Sequence, residues 1–471
     1  MRRASVRFAL ATSVVALTAA LGQGPVGAQP RLIQPEPVNP ALSNPPPPAN
    51  PAEHSKPCSE PPGRGDGMFS NAALETMNFP SVWHITRGAG QKVAVIDTGV
   101  SPHPRLPGLN IGDSSDLVMP GDRGISDCDG HGTLVAGLIA GQPRDGSAFH
   151  GGAPDAEIFS IRQTTSRFRE KGRTDNVDPV TGITKDGYGN LHTIATAIRQ
   201  AADKGATVIN ISIAACLGAN ESINGDAYIG AALQYAVDVH DVVVVVAAGN
   251  SSEGSCNTNP YVNPVNPSTS PWSPGQVRTI VTPAWYDDYV LTVGAVNADS
   301  GAAADFTIAG PWVDVAAPGT DIISLSPSDD GLTNHTLNAG ANEYQPTQGT
   351  SFAAPLVAAT AALVRASHPE LNARQVMDRI KATAHGAGEA RSPVLGYGTV
   401  DPLAAVTADI SPNALSVTHY KSEQIDALPP EPEPDLRPRN TALAGVGILA
   451  AVFTLGVLGS FPLRRWRQSR T

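Results

Sequence analysis

Three residues whose side chains can together activate a hydroxyl are spread over the middle of the chain: Asp97, His131 and Ser351. A serine hydroxyl is a weak nucleophile until a base removes its proton. Histidine suits that task because its ordinary pKa of about 6.5 lies near neutral pH, and a carboxylate behind the ring fixes its tautomer. Each residue alone would equally suit a turn or a helix cap. Their joint occurrence predicts nucleophilic catalysis.

The residues around these three place each of them at the edge of a regular element. Asp97 ends the apolar run KVAVI, and His131 stands in DGHGT, directly before the apolar stretch LVAGLIAG. Ser351 follows a Gly-Thr pair and opens FAAPLVAATAALVRA, which puts its oxygen among the free N–H groups of a helix N-terminus. Asn250 ends the β-branched run VVVVVAAGN. Its side-chain amide and the Ser351 N–H would form an oxyanion hole.

Short apolar runs alternate with helix-like stretches between residues 79 and 406. The strand-like runs cover 92–96, 157–161, 207–211, 242–248, 290–296 and 312–316, the helix-like stretches cover 191–204, 227–239 and 373–384, and a polar surface loop is expected at 164–190. Continuous apolar runs are typical of parallel strands that are buried on both faces. The pattern predicts an α/β sandwich of three layers with a mainly parallel central sheet. Active sites of such folds form beyond the carboxyl ends of the strands.

The N-terminal residues have the order that is typical of a secretory signal peptide. Arg2, Arg3 and Arg7 precede the apolar run Phe8–Leu21, and small residues follow at 26–28. We therefore expect 1–28 to be a signal peptide that is removed, the alternative being an uncleaved helical anchor.

A second apolar stretch lies near the C-terminus. No charged residue occurs between 441 and 463, and roughly 20 apolar residues suffice to cross a membrane. The Pro-rich linker at 409–440 leaves this stretch no domain to pack into, which argues against the alternative of a buried core helix. Four arginines follow at 464–471, and the positive-inside rule places this basic tail in the cytoplasm. Both ends predict a single-pass cell-membrane protein whose main domain, at 79–408, is extracytoplasmic.

Charge and composition limit the other functions. Acidic residues outnumber basic ones by 43 to 32, and the net charge of -11 gives no general attraction to nucleic acid. The cysteines form no CxxC pair and the histidines show no metal-ligand spacing, so we expect neither a metal nor another cofactor. A calcium site at Asp127 and Asp129 is the weaker alternative to ordinary loop charge.

The segments VIDTGV, DGHGTLVAG, VVAAGN and GTSFAAP, in this order, resemble the subtilisin-like serine proteases, or subtilases. The resemblance implies a subtilisin-like fold and serine endopeptidase activity. It implies that Asp97 is the orienting acid, His131 the base and Ser351 the nucleophile. It further implies that Asn250 is an oxyanion donor. The segment Ser212-Ile213-Ala214 would be the substrate-binding strand, with Ala214 where glycine is usual.

The layout of the whole chain, with the segments GLIAGQP, VTPAWY and GPWVDVAAPG, narrows the resemblance to the mycosins. These are the membrane-anchored subtilases of mycobacterial type VII secretion systems. The resemblance implies a protein or peptide substrate and, as partners, subunits of the secretion membrane complex. Two other functions stay open: a scaffold component of that complex in which proteolysis is secondary, and a general surface protease.

The segment at 29–78 is short and Pro-rich, which disfavours a packed pro-domain. We expect it to wrap the catalytic domain as an extended arm held by Cys58, the alternative being a short inhibitory propeptide. Four cysteines can pair in three ways. We favour Cys58 with Cys128, which would staple the arm, and Cys216 with Cys256, which would close a loop between strand ends. The resemblance to the mycosins implies the same pairing.

Overall fold

The computed structural model describes the chain at 35–46, 51–67, 71–172, 187–219, 225–251, 256–259, 277–338, 343–386 and 391–415, and at positions 448, 451, 452 and 455. The predicted signal peptide and basic tail lie outside these residues, as do most of the predicted linker and most of the apolar stretch before the tail. By its internal contacts the chain divides into two units, residues 1–417 and 418–471.

The first unit alternates strands and helices along the chain. Within the described residues its helices are α1 (Ala72–Met77), α2 (His131–Ala140), α3 (Leu191–Asp203), α4 (Asp226–Gln234), α5 (Thr350–Ser367), α6 (Ala373–Thr383) and α7 (Pro402–Thr407). Its strands are β1 (Ala52–His54), β2 (Gly63–Arg64), β3 (Lys92–Asp97), β4 (Ser115–Asp116), β5 (Glu157–Arg162), β6 (Phe168–Glu170), β7 (Val208–Ile211), β8 (Ala215–Gly218), β9 (Val243–Ala247), β10 (Thr279–Thr282), β11 (Leu291–Val296), β12 (Val315–Pro318), β13 (Ser324–Leu325), β14 (Leu332–Thr333), β15 (His335–Asn338), β16 (Glu343–Pro346), β17 (His385–Gly386) and β18 (Gly398–Thr399).

A nine-stranded sheet in the order β17-β18-β12-β11-β9-β7-β3-β5-β4 forms the centre of this unit. Neighbouring strands pair in parallel, except that β17 and β18 are antiparallel. Every residue of β9 and of β11 is buried, so helices and loops cover both faces of the sheet. The predicted α/β fold with a mainly parallel sheet is confirmed, because these β-branched runs are apolar on both faces.

Strand β3 lies where the chain changes direction across the sheet. β5 and β4 extend the sheet on one side of β3, and β7, β9, β11 and β12 extend it on the other. The register pairs Asp97 with Arg162 of β5 and Ile96 with Ile211 of β7, so the carboxyl ends of these three strands lie together. In open α/β sheets such a switch point forms the crevice in which ligands bind. Asp97 ends its strand at this crevice.

Helix α5 runs through the core of the first unit. It packs against α2 and against β7, β9 and β11, and its residues Thr350–Val364 are all buried. In the part of the chain that the structure describes, it is also the one helix that is long and apolar enough to cross a membrane. Because 83% of its apolar window is buried inside the fold, its apolar surface is already covered by protein. It is therefore a core helix.

In the second unit, the described positions 448, 451, 452 and 455 are helical. Three of them carry large apolar side chains that are 65%, 62% and 69% exposed: Ile448, Val452 and Leu455. These positions fall within the stretch at 441–463 for which the sequence predicts a membrane helix. The remainder of that prediction lies outside the described residues.

Up to residue 67, the described part of the segment at 29–78 is largely extended, with one 3-10 turn at Pro40–Leu42. The residues Ala72–Met77 instead form α1, which buries Ala73, Leu74 and Met77, so the extended arm is shorter than expected. β1 pairs antiparallel with β6, and β2 adds to the edge of the small sheet β13-β14. Farther along, Asp66 forms an ion pair of 3.0 Å with Arg105, which is only 2% exposed. Short strand pairs and one buried ion pair thus hold this arm to the domain.

Two disulfides link the cysteines in the pairing favoured from the sequence. Cys58 bonds to Cys128 and joins the arm to the loop before α2, while Cys216 of β8 bonds to Cys256. Among the described residues, one group could offer three metal ligands, His54 with Cys58 and Cys128. The disulfide already occupies both of its sulfur atoms.

Some element boundaries differ from those that the sequence predicts. The helix expected at 227–239 ends at Gln234 and continues as a π-helical turn, Tyr235–Val239. The strand expected at 312–316 begins only at Val315, after a turn. The loop expected at 164–190 contains the short strand β6, because pairing with the arm gives its backbone hydrogen-bond partners.

Candidate active site

The structure brings the three residues predicted from the sequence into one hydrogen-bonded chain. His131 Nδ1 lies 2.7 Å from Asp97 Oδ1, and His131 Nε2 lies 3.0 Å from Ser351 Oγ. Asp97 is fully buried, Ser351 is 8% exposed and the His131 side chain is 26% exposed. The carboxylate is therefore shielded from water, while the imidazole reaches the surface of the crevice.

The end of β3 and the start of α2 position Asp97 and His131. The Thr98 N–H donates to Asp97 Oδ1 at 2.7 Å and fixes the carboxylate rotamer. His131 is the first residue of α2, and Gly132 follows it against the strand end. A Cβ at Gly132 would lie 2.1 Å from the Gly99 carbonyl oxygen and 3.0 Å from Asp97 Cβ. Only glycine permits this close approach, which sets the distance between the two side chains.

The N-terminus of α5 positions the hydroxyl. Ser351 is the second residue of the helix, where backbone N–H groups have no intrahelical acceptor. The preceding Gly349 has φ 147°, a conformation that disfavours other residues and turns the chain sharply into the helix. The ring of Phe352 packs beside the His131 ring at a centroid distance of 5.0 Å and limits its rotation.

Asn250 lies beside the same glycine. Its Oδ1 accepts hydrogen bonds from the Thr350 N–H at 2.9 Å and from the Thr350 hydroxyl at 3.0 Å. These bonds fix the amide with its Nδ2 toward Gly349: a Cβ at Gly349 would lie 3.1 Å from Asn250 Nδ2 and 3.1 Å from Ser351 Oγ. The amide N–H group and the hydroxyl thus flank one small space.

The segment Ser212-Ile213-Ala214 lies between the end of β7 and the start of β8. Ile211 pairs with Val246 of β9, so the segment leaves the sheet next to the connection that carries Asn250. The Ser212 hydroxyl accepts a hydrogen bond from Asn210 Nδ2 at 2.9 Å, and the side chains of 213 and 214 are partly exposed. This stretch therefore borders the crevice.

Asp127 and Asp129, the residues considered for calcium, use their oxygens on protein donors. Asp127 is 6% exposed and accepts hydrogen bonds from Thr98, Gly130 and Thr133. Burial raises the pKa of Asp127 to about 6, against the opposing effect of these donors, and the nearby Asp129 carboxylate adds to the rise. Asp129 accepts from Thr165 and Ser166 of the neighbouring loop.

Sequence reasoning missed the part that Thr98, Asp127 and Thr350 play in this site. Thr98 and Thr350 are direct neighbours of residues that the sequence analysis identified, and Asp127 stands four residues before His131. One signal was present in the sequence: an aspartate a few residues ahead of an apolar helix is a common helix-capping residue. The hydroxyls of the two threonines carry no such signal, because threonine in a turn is ordinary.

Comparisons with known proteins agree with this geometry. Residues 88–398 match the subtilase family. Mycosin-4 of Mycobacterium tuberculosis (strain ATCC 25618 / H37Rv) is 44% identical over 90% of this chain and 89% of its own length. Among solved structures, the MycP3 protease from the type VII (ESX-3) secretion system is 42% identical, with a TM-score of 0.71 over 80% of this chain and 100% of that one.

A chain in the structure of an intact ESX-5 inner membrane complex is 40% identical, with a TM-score of 0.73 over 91% of this chain and 99% of that one. Both the similarity in sequence and the similarity in fold extend over most of each relative. The chain therefore belongs to the subtilase family and, within it, to the mycosins, and it is a subtilisin-like serine endopeptidase.

Proposed function

We propose that Asp97, His131 and Ser351 are the catalytic triad of this endopeptidase. The observation that carries the proposal is the continuous chain of hydrogen bonds from the buried carboxylate through the imidazole to the hydroxyl, 2.7 Å and 3.0 Å long. In this chain Asp97 holds the Nδ1–H tautomer and stabilises the imidazolium, so that Nε2 is free to accept the hydroxyl proton.

The reaction then follows the acyl-enzyme route. Ser351 Oγ attacks the carbonyl carbon of the peptide bond while its proton passes to His131 Nε2. The imidazolium gives this proton to the amine that leaves, and an ester on Ser351 remains. Water attacks the ester, again losing a proton to His131, and the carboxylic acid departs as Ser351 regains its proton. No cofactor takes part in these steps.

Asn250 and the Ser351 N–H are the proposed donors to the oxyanion of each tetrahedral intermediate. The contacts from Thr350 direct the amide Nδ2 toward the space beside Ser351 Oγ. Fixed donors aimed at developing charge stabilise a transition state more than a ground state, because they need no reorientation. Replacing Asn250 by alanine is expected to lower kcat by about 10²–10³.

The segment Ser212-Ile213-Ala214 is the proposed binding strand for the substrate. It leaves the sheet beside the Asn250 connection and is partly exposed, so its backbone can pair with an extended peptide. The methyl group of Ala214, where glycine is usual in the family, narrows the side of the crevice that this strand forms.

We further propose that the protein acts from the outer side of the cell membrane. The stretch at 441–463 would span the membrane, with the tail at 464–471 in the cytoplasm and 79–408 outside, after removal of 1–28. The uncharged stretch, the arginines that follow it and the exposed helical positions Ile448, Val452 and Leu455 support this topology.

The proposed place of action is a type VII secretion membrane complex. The relative found in the intact ESX-5 inner membrane complex supports this, since the similarity covers 91% of the present chain. The same observation favours a second candidate function, a structural component of such a complex in which proteolysis is secondary.

The test of the proposed chemistry is labelling of the full-length protein with a fluorophosphonate, which phosphonylates an activated serine with loss of fluoride. Wild type is expected to label at one serine, and Ser351→Ala is expected not to label. A matched control is Ser367→Ala, at the far end of the same helix, which should label like wild type. Labelling of Ser351→Ala at the wild-type rate would contradict the assignment of the nucleophile.

The test that separates the two functions is secretion by cells whose only copy is Ser351→Ala. If the protein supports secretion by cleaving a substrate, secretion of type VII substrates falls to the level of cells that lack the protein. If the protein serves as a scaffold, the variant supports secretion while a deletion does not.

A further inference from the structure

Asp127 is a buried carboxylate that lies behind the candidate triad. Its oxygens accept four hydrogen bonds: from the Thr98 hydroxyl at 2.8 Å, the Gly130 N–H at 2.8 Å, the Thr133 N–H at 2.8 Å and the Thr133 hydroxyl at 2.7 Å. The donors come from the residue directly after β3, from the residue directly before α2 and from the first turn of α2. The side chain is only 6% exposed, so these donors replace water as its hydrogen-bond partners.

Two of these bonds supply the cap of helix α2, which begins at His131. The residue in the capping position, Gly130, has φ 85° and no side chain to accept a bond from the first turn. Asp127 reaches over it and accepts from Gly130 and Thr133 instead. A carboxylate in this place is favoured by the free N–H groups and by the helix dipole. The orientation of the first turn, and with it His131, therefore depends on Asp127.

A third bond ties Asp127 to the strand end that carries Asp97. The Thr98 hydroxyl donates to Asp127 Oδ1 at 2.8 Å and lies farther, at 3.2 Å, from Asp97 Oδ1. Its oxygen accepts from the Gly132 N–H at 3.0 Å, and the Thr98 N–H donates to Asp97. Thr98 thus touches the acid, the first turn of α2 and Asp127.

The packing between these elements leaves little freedom for either one to shift alone. Gly132 lies directly on the strand end, since a Cβ there would be 2.1 Å from the Gly99 carbonyl oxygen. Because the contact is so close, even a small displacement of the first turn after loss of its cap would alter the distance between Asp97 and His131. An error of about 1 Å in the placement of catalytic groups can lower a rate by about 10².

From these contacts we infer that Asp127 is a positioning residue for the reaction: it holds the first turn of α2 and the end of β3 in one arrangement and so sets the Asp97–His131 geometry. The inference rests on the proposed function of the triad. Asp127 touches neither the substrate nor the reacting atoms, and it acts through Thr98 and the helix cap.

The experiment compares Asp127→Asn with wild type in the full-length protein, with kcat and KM measured on one peptide substrate. The amide keeps the shape but turns an N–H group toward at least one donor, so the cap is weakened. We expect kcat to fall about tenfold or more, with KM changed less than about twofold, because positioning affects the transition state and not substrate binding.

Asp129→Asn is the matched control. Asp129 lies two residues away and its side chain is 10% exposed, but its hydrogen bonds go to Thr165 and Ser166 of the neighbouring loop. We expect this variant to lose stability and to keep the wild-type kcat. Equal losses of kcat in the two variants would mean a general softening of the loop and would overturn the inference, as would an unchanged kcat in Asp127→Asn.

A double-variant cycle that combines Asp127→Asn with Thr98→Val tests whether Asp127 acts through Thr98. If Asp127 acts through Thr98, the double variant is no slower than the slower single variant, whereas independent effects would multiply and would contradict the route. The Ser351→Ala variant separates the two proposals. If it is inactive while Asp127→Asn is fully active, the triad stands and only the positioning role fails.

Discussion

The two ends of the central sheet both bury carboxylates but give them different partners. At the carboxyl end, Asp97 accepts from the Thr98 N–H and contacts His131, and Asp127 accepts from hydroxyl and backbone N–H groups. At the amino end, Asp314 lies 3.1 Å from Arg391 and 3.9 Å from Lys381. Asp314 is thus flanked by cations, whereas the partners of Asp97 and Asp127 are neutral donors and an imidazole.

An arginine is present at the end of the sheet that carries the proposed triad, but its charge is directed to other carboxylates. Arg162 pairs in register with Asp97 across β3 and β5. Its guanidinium binds Asp116 at 2.5 Å, Asp122 at 3.1 Å and the Ser126 carbonyl oxygen at 2.8 Å. A fixed cation on Asp97 would compete with the imidazolium that forms during catalysis. The charge of Asp97 therefore remains available to His131, and the ion pairs at the amino end serve stability.

The largest effect is expected from Asp97→Asn. Loss of the carboxylate leaves the imidazole without its tautomer partner, so kcat should fall by about 10⁴. The free energy of unfolding should change little, because the amide removes a buried charge that has neutral partners. Peptide hydrolysis and denaturant unfolding measure the two quantities. A loss of activity of less than tenfold would contradict the different roles assigned to the carboxylates at the two ends of the sheet.

The counterpart at the amino end is Asp314→Asn. Asp314 is 2% exposed, and its removal leaves Arg391 and Lys381 buried with less compensation. We expect the free energy of unfolding to fall by about 3–5 kcal/mol, with kcat unchanged below the melting temperature. Asp287→Asn is the control: that carboxylate also pairs with Arg391, at 2.9 Å, but is 38% exposed, so its loss should cost less than about 1 kcal/mol.

Asp127 predicts a pH dependence of stability at the carboxyl end of the sheet. Burial raises its pKa from 3.8 in the unfolded chain to about 6 in the fold. Between these values the folded state holds a proton that the unfolded state has lost, so the contribution to stability falls as pH rises from about 4 to 6. Relative to Asp127→Asn, wild type should lose about 2–3 kcal/mol over this range.

Chemical denaturation of both proteins at several pH values between 4 and 7.5 measures this difference. A difference that stays constant with pH would show that the four donors fully compensate the burial of the Asp127 charge.

The smallest effect is expected from Lys92→Met at the amino end of β3. Lys92 Nζ lies 2.5 Å from Asp113, which is 37% exposed, and this lysine lowers the pKa of Asp113. Solvent screens such a pair, so its loss should cost less than about 1 kcal/mol. The cost should shrink further in 1 M salt, as unfolding at two salt concentrations would show. A larger loss in the free energy of unfolding would show that this exposed ion pair stabilises the fold as much as the buried ion pairs do.

The sequence by itself determined the six main strands of the central sheet, the order of the candidate catalytic residue types and the family. Continuous β-branched runs favour buried parallel strands, and the residues directly after them, such as Asp97 and Asn250, must lie at the edge of the sheet. These inferences depend on a few neighbouring residues each. For that reason the sequence suffices for them, whereas it did not predict the change from α-helical to π-helical geometry after Gln234.

The tertiary structure decided the features that join distant residues. His131 and Ser351 are separated by 220 positions, and the 3.0 Å between their side chains results from the packing of α2 on α5. The apolar helix α5 passes a length and hydropathy test for a membrane span, and only its burial shows that it is a core helix. The role of Asp127 likewise depends on donors next to β3 and at the start of α2. Local patterns specify elements, but hydrogen bonds between elements exist only once the chain has packed.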